Sequence, residues 1–206
     1  MKTLLKLLNT QPNKTYFFIL SSISLLGFYY LSSLFYYIIF FVYSPIMWTF
    51  QEYWAHRILM HHLEPIKKTH FKHHFDPHNE SKIFIPIFFT ISFSTINLAP
   101  VYYLFGFETA IVNFSSWIIC YFLFEFTHWS CHCMPDNKYL KGPRVFHILH
   151  HTKNYDNPVV QNFGFTSASW DLIFHTCDSR SKNLNYNWIL YIPYPVLPLI
   201  IVDMLN

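Results

Sequence analysis

Long uncharged stretches alternate with polar ones along this chain. Residues 15–48, 83–105 and 109–124 contain no Asp, Glu, Lys or Arg, whereas segments 49–82 and 134–152 are rich in charged and histidine side chains. About 20 apolar residues cross the hydrocarbon core of a bilayer, so the first run is longer than one crossing. The pattern predicts an all-α integral membrane protein with about four transmembrane helices, arranged as two hairpins.

The first uncharged run is either one strongly tilted helix or a hairpin that turns near residues 30–33. We favour the hairpin, because it places the cationic segments 2–14, 67–72 and 138–144 on one side of the membrane, as the positive-inside bias prefers. A cleaved signal peptide is disfavoured, since the run is too long and no small-residue cleavage site follows. We therefore expect the segment to be retained.

The second hairpin is predicted to turn at Gly106, with Pro86 and Pro100 near helix ends. Residues 186–204 are apolar but contain three prolines, so we expect this tail to pack on the cap or lie at the interface. No linker or change in composition divides the chain. We predict one domain over residues 1–206, with a helical, histidine-rich cap at one end of the hairpins.

Histidines at short, regular spacings mark the polar segments. Each of two HxxHH motifs places three imidazoles on one face of a helix, and each of two further pairs lies four or five residues apart. Ten histidines exceed the four protein ligands of a closed zinc site, which indicates two metal ions. The predicted ligands are His56, His61, His70, His73, His74, His128, His132, His147, His150 and His151.

The first pair has an unusual spacing. His61 lies five positions after His56, and on an ideal α-helix this spacing places their side chains about 140° apart around the helix axis. Either the two imidazoles serve different metals or the helix is broken between them. His62, His78 and His175 fall outside the motifs and are interpreted as ordinary surface or hydrogen-bonded side chains.

The composition argues against a nucleic-acid partner. The chain is 52% hydrophobic and only 12% charged, with a net charge of +3 and no basic stripe, so no nucleic-acid partner is expected. Its four cysteines do not form a disulfide framework of the secreted kind. A site rich in neutral imidazoles also fits a reducing compartment, and we expect the metals on the cytosolic side of the membrane.

Three carboxylates accompany the predicted ligands. Glu52 and Glu125 lie one helical turn before His56 and His128, so each can reach a ligand imidazole and orient it. The alternative for both is a helix-end carboxylate that faces water. Asp171 is expected to support a ligand in the same way or to cap the end of the helical cap.

Taken in order, these motifs resemble the fatty acid hydroxylase superfamily, the membrane di-iron group that includes sterol desaturases, over about residues 51–176. Two features are most similar to the fatty acid 2-hydroxylase branch: the five-residue spacing of His56 and His61, and the ending formed by residues 162–174. Cys133 and His175 depart from the pattern, at positions where histidine and glycine are usual. The matching segments are EYWAHR (52–57), HFKHH (70–74), FEFTHW (124–129), HILHH (147–151), NFGFTS (162–167) and WDLIF (170–174).

The resemblance implies that the ten histidines bind two iron ions, although the same shell would also hold zinc. It further implies O2 as co-substrate, a membrane lipid as substrate, and electrons from a separate cytochrome b5 or similar donor. The expected location is the endoplasmic reticulum membrane. Hydroxylation of a fatty acyl chain is the main hypothesis. The alternatives are a sterol or acyl-lipid desaturase or methyl oxidase, and a membrane metal-binding protein without turnover.

Overall fold

The computed structural model describes residues 14–134, 140–152 and 161–183, and within these ranges the chain is helical, without a strand. The predicted tail and nearly all of the first cationic segment lie outside these ranges. The helices are α1 (Lys14–Tyr29), α2 (Leu34–Met60), α3 (Ile66–Phe75), α4 (Glu80–Ile83), α5 (Ile87–Cys133), α6 (Lys141–His151) and α7 (Ser169–Ile173).

The first uncharged run is divided into two helices at the predicted place. α1 ends at Tyr29, and α2 begins at Leu34 after Ser33, whose hydroxyl oxygen accepts a 3.4 Å hydrogen bond from the Tyr36 amide and so caps the new helix. Phe28 and Phe40 pack across the turn with ring centroids 5.1 Å apart. One continuous tilted helix is thereby excluded.

α5 folds back on itself at Gly106. Three hydrogen bonds are nested around that residue: Asn97 with Asn113, Thr90 with Tyr121, and the Ile85 amide with the Glu125 carboxylate. Such nesting requires two antiparallel arms, residues 87–105 and 107–133. Gly106 has φ 82° and ψ 178°, a backbone conformation that is essentially restricted to glycine. The second hairpin therefore turns where the sequence predicted.

Replacing Gly106 by alanine is expected to lower the free energy of unfolding by about 1–3 kcal/mol, because the added Cβ strains this backbone conformation. Nothing lies within 4 Å of that Cβ, so the cost is conformational and not a clash. Reversible denaturation in detergent would measure it. Thr95→Ala, which removes only an exposed hydroxyl bonded to its own helix, serves as control. Equal stability of the two variants would contradict the expectation.

Two helical segments, Leu34–Met60 and Glu80–Cys133, are long and apolar enough to cross a membrane. Their exposed side chains include many large aromatic and aliphatic residues, as a lipid-facing surface requires. Between them lies a core of aromatic rings in which Trp48 contacts Trp117, Tyr121 and Phe124. The number of crossings and the sidedness of the cap remain predictions.

The histidine-rich helices lie at one end of this bundle. Pro65 directly precedes α3 and Pro77 follows its end at Phe75, so the two prolines limit α3 to a short helix. α3 contacts the end of α2, and α6 contacts the end of α5. The two HxxHH motifs are thus brought against the two helices that carry the other histidine pairs.

Candidate metal centre

The structure brings all ten predicted ligands together in two groups, and either group could hold a metal ion. Within each group the ligand nitrogens lie within 4.8 Å of one another. Each ring offers one nitrogen to its group, and in a neutral imidazole that nitrogen either donates or accepts one hydrogen bond, so five of them cannot all be paired with one another. The first cluster is His56, His61, His70, His74 and His150, and the second cluster is His73, His128, His132, His147 and His151.

Each HxxHH motif is shared between the two clusters. In α3, His70 and His74 lie four residues apart and enter the first cluster, while His73 enters the second. α6 does the reverse: His147 and His151 enter the second cluster, and His150 enters the first. His74 and His151 stack with ring centroids 4.2 Å apart, where the clusters meet. Both helices therefore tie the two candidate centres into one unit.

The spacing of His56 and His61 is explained by a wider helical turn. Residues Ala55–Met60 form a π-helix, in which hydrogen bonds join residues five apart. Side chains at i and i+5 then point in similar directions, and the two rings lie 5.2 Å apart in one cluster. The helix is therefore widened between the two residues, and both imidazoles belong to the same cluster.

Two imidazoles are oriented by backbone carbonyls of the segment 161–168, here called the clamp loop. Nδ1 of His56 lies 2.6 Å from the Phe163 oxygen, and Nδ1 of His150 lies 2.8 Å from the Gln161 oxygen. A carbonyl can only accept, so each Nδ1 carries the proton and leaves the Nε2 lone pair free for a metal. No side-chain pattern could have revealed these carbonyls, since the backbone supplies them.

Glu52 supports the clamp loop instead of an imidazole. Its buried carboxylate accepts hydrogen bonds from the amides of Phe165 and Thr166, the Thr166 hydroxyl and the indole of Trp48. All four donors approach a residue that is 6% exposed, so the expected contact with a ligand imidazole is wrong. For Glu125 the expected contact with a ligand imidazole is also wrong, because its carboxylate accepts a hydrogen bond from the Ile85 amide, 3.1 Å away. Neither carboxylate faces water.

Asp171 acts on the same loop from α7. Its carboxylate accepts hydrogen bonds from the amides of Phe163 (2.9 Å) and Gly164 (2.6 Å) and from the Thr176 hydroxyl (2.7 Å). A Cβ on Gly164 would overlap the Ser167 carbonyl, so this close approach requires glycine. Because the carbonyl of Phe163 orients His56, Asp171 supports a predicted ligand through the loop and not by direct contact.

One residue shortly after the end of α7 has a left-handed backbone conformation. His175, which replaces the usual glycine, has φ 55°, a left-handed value that glycine adopts without cost and that histidine tolerates better than most residues. Its amide donates to the Leu172 carbonyl at 3.3 Å. The departure from the family pattern therefore changes the side chain while the turn is kept.

Burial lowers the pKa of the cluster histidines that lie outside the candidate spans, and the neighbouring imidazoles lower it further. These rings are neutral near pH 7, which is the form that binds metals. Burial also raises the pKa of Asp171 to about 6, against the opposing hydrogen bonds from Thr176 and the loop amides. The site is therefore poised to accept cations without displacing protons.

Low pH is expected to release bound metal from the two clusters and to lower the stability of the folded protein. Histidines whose folded-state pKa is lowered stay neutral while the unfolded chain binds protons below its ordinary value of about 6.5. Stability is thus retained above about pH 6.5 and is lost as the pH falls, by about 1.4 kcal/mol per pH unit for each extra proton bound by the unfolded chain. Metal content and melting temperature at graded pH would measure this. Unchanged values from pH 7 to 5 would contradict it.

An apolar cavity reaches both clusters. His56 and His70 of the first cluster and His73 and His128 of the second lie in its wall. Most of the remaining wall comes from α2, both arms of α5 and the clamp loop, with smaller parts from α3, α4 and residues 84–86. It includes Trp48, Phe89, Phe93, Trp117, Tyr121, Phe124 and Phe165. Phe165 contacts His147 and His128, with ring centroids 4.0 and 4.6 Å apart. Its ring therefore packs against two imidazoles of the second cluster.

Helices of membrane-spanning length that present two all-histidine clusters to an apolar cavity define a class of helical protein able to hold two metal ions. Its family follows from the sequence: residues 41–176 match the family described as fatty acid hydroxylase, and the chain belongs to that family.

Several curated proteins are similar to this chain. It is 33% identical over 156 residues to a ceramide very long chain fatty acid hydroxylase, scs7, of Schizosaccharomyces pombe, covering 68% of this chain and 42% of that protein. It is 28% identical over 152 residues to the fatty acid 2-hydroxylase of Mus musculus, covering 66% and 38%. The chain thus spans about two fifths of the length of these relatives.

A solved structure has a similar fold. The hydroxylase domain visible in the structure of full-length scs7p superposes with a TM-score of 0.66 at 24% identity, covering 78% of this chain and 62% of that one. At this identity the likeness concerns the fold alone. The helical arrangement described above is therefore similar to the fold of that hydroxylase domain.

Proposed function

We propose that this chain is a membrane lipid hydroxylase that inserts one oxygen atom from O2 into a C–H bond of a fatty acyl chain, at the 2 position of a free fatty acid or a ceramide. The observation that carries the proposal is the cavity wall, which contains histidines of both clusters. A chain in this apolar space would lie beside both candidate centres. The names of the relatives supply the substrate class.

The ten histidines would hold two iron ions, five imidazoles to each, with zinc able to occupy the same donor set. When bound, iron supplies the redox chemistry that activates O2, which zinc does not. The electrons would come from a separate cytochrome b5 or similar donor. We place the protein in the endoplasmic reticulum membrane, with the clusters facing the cytosol.

The protein's own residues position the substrate and keep water out. Phe124 and Phe165 line the space beside the imidazoles with apolar surface, which favours an acyl chain over water. The carbonyls of Gln161 and Phe163 fix the two rings of the first cluster that they contact. Glu52 and Asp171 hold the loop that carries these carbonyls, so the cavity and the clusters keep one geometry.

Mass spectrometry tests the proposal. The purified full chain, loaded with iron in membranes, would receive isotopically labelled O2, a reductant and either a fatty acid or a ceramide. We expect a product heavier by one labelled oxygen atom. A product lighter by two hydrogens would instead indicate a desaturase. An unchanged lipid, with two metals that do not respond to O2 and reductant, would indicate a metal-binding protein and end the proposal.

A further inference from the structure

The cavity has a definite depth. Its wall follows α2 from His56 down to Trp48, a rise of about 12 Å at 1.5 Å per residue, and follows the second arm of α5 from His128 down to Trp117, a rise of about 16 Å. The first arm of α5 and the segment just before it contribute residues from Ile85 to Phe93. Below the imidazoles the cavity is therefore a slot that runs toward the middle of the helix bundle.

Two indole rings close the deep end of this slot. Trp48 and Trp117 meet edge to face with centroids 5.0 Å apart, and they are only 6% and 2% exposed. Trp117 also stacks on Tyr121 above it and on Phe114 below it. Phe114 is absent from the cavity wall. The indole of Trp117 thus separates the open slot from the packed core below.

Trp117 is fixed in place by a chain of buried polar groups. Its Nε1 donates to Oε1 of Gln51 at 2.9 Å, and the same oxygen accepts from Asn97 at 3.3 Å. Asn97 accepts from Asn113 at 2.7 Å, and Asn113 accepts from the Ser44 hydroxyl at 2.8 Å. Burying amides among apolar helices is costly unless they are paired. Paired, they lock α2 and both arms of α5 together below the slot.

We propose that Trp117, held by Gln51, is the floor that limits the length of acyl chain this protein accepts. The inference rests on the proposed function, since it places the reacting carbon beside the imidazoles and the methyl end of the chain against the indole. Chains that reach Trp117 fill the slot, whereas longer chains must displace a ring that is both stacked and hydrogen-bonded. No ligand imidazole contributes to this selection.

The test compares three variants in the full chain. Trp117→Leu removes the floor, Trp117→Phe shortens it, and Ile118→Ala truncates a fully buried neighbour that does not line the slot. Each would receive an even-numbered series of saturated free fatty acids, and the turnover of each chain would be measured by product mass. A methylene in an apolar pocket is worth about 10-fold or more in kcat/KM. We expect Trp117→Leu to gain about 10-fold for chains just beyond the wild-type limit.

Trp117→Phe should move the limit in the same direction by a smaller step, and Ile118→Ala should keep the wild-type profile. An unchanged profile in both Trp117 variants would overturn the floor while leaving the hydroxylase function intact. A shift of the same size in Ile118→Ala would also overturn it, because general loosening of the core would then be the cause.

A competition binding assay distinguishes the chain-length limit set by Trp117 from the hydroxylation reaction. The same fatty acids would compete with a radiolabelled fatty acid for the purified full chain, without O2 or reductant. We expect the longest effective competitor to be longer for Trp117→Leu than for wild type. If binding shifts in this way while no lipid is hydroxylated, the proposed function fails and the floor stands. Identical competition series for both proteins would overturn the floor.

Discussion

His150→Ala is expected to abolish lipid hydroxylation and to leave at most about one metal ion per chain. His150 is 1% exposed, belongs to the first cluster and is oriented by the Gln161 carbonyl. Loss of an outer partner of a metal ligand typically costs about 10–100-fold in metal affinity or activity, so loss of the ligand itself should cost more than about 100-fold. Elemental analysis and product mass measure the two effects together.

Two further variants make this result specific. His62→Ala removes an exposed imidazole that belongs to neither cluster, and it should keep wild-type metal content and turnover. His147→Ala removes a ligand of the second cluster and should reproduce the loss seen with His150→Ala. Wild-type turnover in either cluster variant would remove the dinuclear interpretation.

Asp171→Asn is expected to weaken metal binding by about 10–100-fold without removing any ligand. The carboxylate accepts from the amides of Phe163 and Gly164, and an asparagine must present its NH2 group to one set of these donors. The clamp loop would then shift, and the Phe163 carbonyl would no longer orient His56. Metal retention against a graded chelator, and turnover at saturating iron, would measure the effect.

Asp178→Asn provides the matched control. Asp178 is as buried as a core residue and pairs with Arg180 at 2.8 Å, yet it donates its amide to Asn162 and has no hydrogen bond to Phe163 or Gly164. This variant should lose stability while keeping its metal affinity. If both variants lose metal in proportion to their melting temperatures, Asp171 is merely structural and the positioning role is contradicted.

Much of the fold is predictable because its causes are local. The first uncharged run is longer than one bilayer crossing, so it must break, and the break lies at residues 30–33, where Ser33 caps the next helix. Gly106 supplies the turn of the second hairpin, and the prolines at 65 and 77 limit α3. Each feature depends on the conformational preferences of a few neighbouring residues, and the structure has both hairpin turns where the sequence predicts them.

The roles of the carboxylates were less predictable. Sequence distance placed Glu52 and Glu125 one turn from a histidine, and on a helix that distance permits a contact. The structure supplies other donors: two loop amides, a hydroxyl and an indole for Glu52, and the Ile85 amide for Glu125. These donors come from segments as many as 114 residues away, so local spacing could not reveal them.

The sequence by itself determined which imidazoles could act together, because residues three or four apart share a helix face whatever surrounds the helix. It also determined where the apolar runs turn. Only the tertiary structure decided how the ten rings divide, with each HxxHH motif split between two clusters, and how a π-turn brings His56 beside His61. That division depends on how four helices approach one another. Contacts between residues distant in sequence set the approach, and a local pattern cannot encode them.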